Sequence, residues 1–168
     1  VVLDGGGTDR VVDVTSGADL NLVNLTVSNG YASEGANVRC DSSGSTVYTD
    51  NAVISGGNHS SGYGSGIYAQ ACDLDLENTQ ITGNSGMWGG GIYIKNADLY
   101  IVDSSIDNNT ADDKGGGIRY VTDSNGSTVN GEIHDTWVTN NTANNGGGIA
   151  IYADADIYVD AECTSRGS

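Results

Sequence analysis

Apolar residues return along this chain in three registers. The first is Val12, Val38, Ile67, Ile92, Ile118 and Ile149, at steps of 26, 29, 25, 26 and 31 residues. The second is Leu20, Val47, Leu74 and Leu99, with Gly131 as its odd member. Two residues further on, where a strand turns its next side chain to the same face, stand Leu22, Thr49, Leu76, Ile101 and Ile133. The third register is Val27, Ile54, Ile81, Ile106 and Val138. Each unit predicts three short β-segments, apolar or β-branched on one side and polar or tyrosine-bearing on the other. No window carries the period of a long amphipathic helix.

Glycine and asparagine punctuate the same units. Gly89-Gly90-Gly91-Ile92, Gly115-Gly116-Gly117-Ile118 and Gly146-Gly147-Gly148-Ile149 repeat one motif, and self-similarity at such a spacing signals a repeat architecture. Four residues after each second-register anchor come Asn24, Asn51, Asn78, Asp103 and Asp135; three after each third-register anchor come Gly30, Gly57, Asn84, Asn109 and Asn141. Asn tolerates left-handed backbone, and stacked amides hydrogen-bond along an axis, so these columns read as turn ladders. The expected fold is all-β: a right-handed parallel β-helix of about six three-stranded coils, with residues 1–168 forming one domain. At the spacing of neighbouring strands this makes a rod about 30 Å long.

Composition narrows the function. The chain has 26 glycines, no proline and no phenylalanine, so Val, Ile, Leu and Ala must build its core. A net charge of −16, with 18 of the 22 acidic residues aspartate, argues against nucleic acid and anionic membrane surfaces as partners. It fits a solvated exterior, adaptation to high salt, or collection of Ca²⁺ by oxygen ligands. Asp73/Asp75/Glu77 and Asp112/Asp113 offer such ligands, but no EF-hand or glycine-rich nonapeptide calcium loop occurs, and no metal site or cofactor is assigned. The chain opens on Val1 without a leader, transmembrane run or lipidation motif, which reads as a processed or excised piece. Strands around Ile149-Ala150-Ile151 and Asp156-Ile157-Tyr158-Val159 run nearly to the C-terminus, so the expected β-helix ends on open edges that further chain or a second copy would cover.

Cys40, Cys72 and Cys163 match no zinc spacing. Cys40 and Cys72 fall on neighbouring coils and are the candidate disulfide, although their columns differ by three positions. Sequons at Asn24, Asn58, Asn108, Asn125 and Asn140 are compatible with surface glycosylation. The outward column Arg39, Tyr68, Tyr93, Arg119 is the candidate ligand platform: tyrosine rings stacked at strand spacing between guanidiniums suit a sugar or acidic glycan. His59 lies in a Ser/Gly-rich loop and His134 stands in a column with Asp50, Glu77, Val102 and Asp160; both read as ordinary surface histidines. No column gathers the two or three convergent carboxylates of a polysaccharide hydrolase, or the acidic cluster plus base of a lyase.

The Gly-Gly-Gly-Ile motif, preceded by Ile81 to Asn84, Ile106 to Asn109 and Val138 to Asn141, resembles the GGA(I/L/V) and FxxN repeats of polymorphic outer membrane proteins. It is similar also to the wider class of surface proteins with right-handed β-helix repeats, whose openings look like Leu3-Asp4-Gly5-Gly6-Gly7-Thr8 and Leu25-Thr26-Val27-Ser28-Asn29-Gly30. Here Gly replaces Ala in the triplet, and Ile or Val replaces Phe. The resemblance implies an extracellular or cell-surface module serving adhesion or structure, with glycans, a host or cell surface, or its own open ends as partners. The competing expectation is an extracellular polysaccharide lyase or hydrolase of pectate-lyase-like fold.

Overall fold

The computed structural model describes residues 1–123, 129–152 and 155–160. It is an all-β solenoid of about six turns with parallel sheets. The three apolar registers are its three strand columns. In the first, Val12, Val38, Ile67, Ile92, Ile118 and Ile149 pair in succession. In the second, Leu20, Val47, Leu74, Leu99, Gly131 and Ile157 do so. In the third, Leu3, Val27, Ile54, Ile81, Ile106 and Val138 stack. Strands are three to five residues long except Val38–Asp50 and Ile67–Glu77, which carry the first and second columns around one corner without a break. Side chains from all three columns meet in one core running the length of the rod.

The glycine triplet is explained by what each position would strike. Gly115 has φ +66, and a Cβ on it would lie 2.3 Å from the Ile118 carbonyl oxygen; one on Gly116 would lie 2.5 Å from Gly147 and Thr142 carbonyls. A Cβ on Gly117 would lie 2.9 Å from the Asn141 side-chain nitrogen, so the third glycine makes room for the asparagine ladder of the next coil. Gly131 has a different cause. Tyr120 is fully buried, donates its hydroxyl to the Ala97 carbonyl at 2.9 Å, and places Cε1 2.9 Å from where a Gly131 Cβ would sit. The tyrosine occupies the space beside Gly131 where the other coils carry leucine, valine or isoleucine.

The asparagine ladder is continuous, with Asn37, Asn84 and Asn109 buried and Asn141 partly so. Asn84 Nδ2 donates to Asn109 Oδ1, and Asn109 Nδ2 to Asn141 Oδ1, each at 3.0 Å. Each amide also reaches backbone: Asn109 accepts from the Asn84 N–H at 3.0 Å and donates to the Ile81 carbonyl at 2.9 Å. Asn37 extends the ladder, donating to Asn84 Oδ1 at 3.0 Å. It comes from the position before the first-strand anchor, where other coils have the third glycine. The exchange is reciprocal, because a Cβ on Gly57 would lie 2.9 Å from Asn37 Nδ2.

At the other turn Asn24, Asn51, Asn78, Asp103 and Asp135 all take left-handed backbone, φ 44 to 55. Their side chains are less uniform. Asn51 donates to Asn24 at 2.7 Å, whereas Asn78 turns to Asp50 at 2.9 Å. The regular ladder there belongs to the next residue in the last three of these coils: the Thr79 N–H donates to Ser104 Oγ, and the Ser104 N–H to Thr136 Oγ1.

Cys40 and Cys72 form a disulfide, with Cα atoms 6.0 Å apart and both residues fully buried. Cys40 pairs with Ala69 and Cys72 with Ser45, so the three-position offset persists and the bond spans the corner, where a register shift between Asp41 and Ser45 bulges out residues 42–44. Cys163 lies outside the described residues.

Candidate functional site

Two columns build one long face. The residue after each first-strand anchor gives Asp13, Arg39, Tyr68, Tyr93, Arg119 and Ala150. The residue four before gives Glu34, Tyr63, Trp88, Lys114 and Asn145, joined by isolated parallel bridges and the Trp88–Lys114 pairing. Together they grade the face along the axis. The first coils carry acids around Arg39, the middle coils carry aromatics, and the fifth carries Lys114 and Arg119.

The expectation of an open platform at Arg39, Tyr68, Tyr93 and Arg119 is corrected. Tyr68, Tyr93 and Arg119 are only 5 to 7 % exposed. The reason is the second column, which folds over the first. The Tyr63 ring stacks on Trp88 at 4.8 Å and on Tyr93 at 5.6 Å, while Tyr68 and Tyr93 lie nearly parallel at 5.4 Å. Trp88 is fixed by its indole N–H donating to Asp113 at 2.9 Å. Burial raises the Tyr68 hydroxyl pKa, with the Glu34 and Asp41 charges adding to it; burial raises that of Tyr93 too, against opposition from Lys95 and Arg119. These tyrosines are neutral packing groups at every physiological pH.

The two arginines differ in their partners. Arg39 is saturated by Asp41 at 2.6 Å, Asp13 at 3.2 Å and Glu34 at 3.4 Å. Arg119 has no carboxylate in ion-pair reach among the described residues, and its buried Nε has no hydrogen-bond partner there. Its guanidinium lies instead between two rings, 5.7 Å from the centroid of Trp88 and 5.4 Å from that of Tyr152. A cleft of about 570 Å³ opens beside it, lined also by Lys114, Asn145, Ala150 and Tyr152.

A second, acidic groove of about 380 Å³ lies on the second-strand face, lined by Asp73, Asp75, Asp98, Tyr100 and Glu132. Much of its acidity serves the backbone. Asp73 accepts from the Asp98 N–H at 2.9 Å and Asp98 from the Asn130 N–H at 2.8 Å, as Asp19 does from the Thr46 N–H at 2.9 Å. These form an aspartate ladder at the corner before the second strand. Burial, then the Glu77 charge, raises the Asp75 carboxyl above its ordinary value. Among the described residues no cluster of three His, Cys, Asp or Glu side chains could hold a metal ion.

The sequon asparagines Asn24, Asn58, Asn108 and Asn140 are all exposed; Asn125 lies outside the described residues. His134 sits between Asp160 at 2.6 Å and Glu132 at 3.3 Å, and His59 packs its ring 5.0 Å from that of Tyr31. Sequence reasoning missed Tyr63 and Trp88. Their spacing from each anchor is constant, but glutamate, tyrosine, tryptophan, lysine and asparagine share no chemistry that would mark a column.

Against known families, residues 103–119 match the model of the Chlamydia polymorphic membrane protein (Chlamydia_PMP) repeat. No curated protein and no solved structure matches the chain. The matched stretch contains the Asp103 turn, the ladder residue Asn109, the second glycine triplet and Arg119. The chain thus carries, in its fourth and fifth coils, a repeat of the kind found in polymorphic membrane proteins.

Proposed function

We propose that this chain is a non-catalytic module of a cell-surface or extracellular protein, serving adhesion or structure. The observation that carries the reading is the polymorphic membrane protein repeat at residues 103–119, set within a solenoid whose adjoining coils share its ladder and glycine motif. The engagement of Asp73 and Asp98 in capping backbone amides supports a structural use of the acidic groove over a catalytic one. Exposed apolar side chains at the two outermost coils, including Val2, Ile151 and Val159, suit stacking against a further coil or a second copy.

The reading is tested by incubating the purified chain with polyuronates and neutral polysaccharides, with and without Ca²⁺, and analysing the saccharides by size and mass. Recovery of every polymer at its starting size is expected. Shortened products that disappear on Asp75→Asn would replace the reading with a polysaccharide-cleaving enzyme.

A further inference from the structure

We propose that Arg119, Lys114 and Tyr152 form a binding subsite for the carboxylate of a uronic acid residue in an acidic saccharide. This names a ligand for the surface module proposed above and rests on that reading for where such a ligand is met. Four observations converge on the cleft at the fifth coil. Arg119 is 6 % exposed, yet its guanidinium has no carboxylate partner among the described residues of a chain with net charge −16. Its Nε is buried and without a hydrogen bond, so the guanidinium is held in a costly, uncompensated state within the fold. The residue lines an open cleft rather than a sealed pocket. Lys114 stands on the same cleft, its nearest described carboxylate, Asp113, 4.0 Å away and already accepting the Trp88 indole N–H.

The aromatic walls select the carrier of the anion. Arg119 covers one side of the Tyr152 ring at 5.4 Å, and Tyr152 remains 60 % exposed. A guanidinium fork beside a free aromatic face matches a carboxylate attached directly to a rigid pyranose, whose C–H face packs on the ring while the fork takes the charge. An acidic peptide carries its carboxylate on a flexible stem and gains nothing from the ring. Ala150, opposite Arg119 in the neighbouring strand, leaves the floor of the cleft low enough for the sugar to approach.

The test is an NMR titration that follows the Trp88 indole N–H, distinguished from that of the exposed Trp137 by Trp137→Phe. The probes are tri-galacturonate, a sulfated trisaccharide, maltotriose and tri-glutamate. Tri-galacturonate is expected to shift the Trp88 signal saturably, weakening with added salt, while maltotriose and tri-glutamate leave it in place. Arg119→Gln is expected to weaken binding by more than about tenfold and Lys114→Met and Tyr152→Ala by roughly threefold each, while Lys95→Met has no effect. Because Arg119 is packed between rings, the two exposed-side variants keep the test decisive if Arg119→Gln unfolds. Absence of a shift, or binding unchanged in Lys114→Met and Tyr152→Ala, overturns the site. Equal binding of tri-glutamate, or preference for the sulfated sugar, overturns the uronate assignment. Either failure leaves the cell-surface reading standing, since that is judged by where the protein is found.

Discussion

Single residues in this chain make sense only beside their neighbours one coil away. Gly131 stood out as the odd member of a leucine column, but its cause could not be read there, because Tyr120 belongs to a different column and meets it only when the coil closes. Gly131→Ala is expected to cost about 1–3 kcal/mol through collision with Tyr120 and Ile157. Adding Tyr120→Ile should recover much of that cost, so a double-mutant cycle by urea unfolding will show strong coupling; additive effects would refute the packing account. His134 offers a second residue-scale check. Hydrogen bonds that its ring donates, first to Asp160 and then to Glu132, raise its pKa in the folded chain. The stabilisation is therefore complete below the ordinary histidine range and fades as pH climbs through the elevated folded value. An NMR titration should place the His134 midpoint above that of a free histidine, and Asp160→Asn should lower it. A midpoint at or below the ordinary value would remove the contact from the account.

At the scale of elements, the strand columns were legible because burial enforces them. A core position admits few residue types, so Val, Ile and Leu recur at fixed offsets. Turn ladders were legible only where the residue type repeats, as at Asn84, Asn109 and Asn141. Asn37 fills the same role from the opposite side of the turn and was hidden, since the swap with Gly57 preserves the packed volume but not the column. The hydroxyl ladder of Thr79, Ser104 and Thr136 was hidden by the variety of groups that can accept an N–H. The asparagine ladder is the element on which coil stacking most depends. Asn109→Ala orphans buried partners in the coils on both sides, so a loss of about 3 kcal/mol is expected, from roughly 1–3 kcal/mol for each unsatisfied buried group. Urea denaturation measures it; a loss below about 1 kcal/mol would show that backbone pairing alone holds the stack.

For the molecule as a whole, the acidic composition suggested a solvated exterior, adaptation to high salt, or collection of Ca²⁺. The structure adds that the charges take separate roles. Aspartates cap amides at one corner, acids enclose Arg39 near one end, and aromatics with Lys114 and Arg119 occupy the opposite part of the same face. The graded face escaped the sequence reading because its second column lies in the segments before each anchor, where no residue type repeats. The Tyr68 and Tyr93 column was thus read as bare, whereas Tyr63 and Trp88 pack over it. What unites these features is a rod that carries graded charge and aromatic chemistry along one face, and the proposed function places it at the cell exterior. The most direct test is immunolabelling of the source cells with an antibody against the folded chain, before and after permeabilisation. The account predicts full labelling of intact cells, removed by brief external protease treatment. Labelling that appears only after permeabilisation would contradict it.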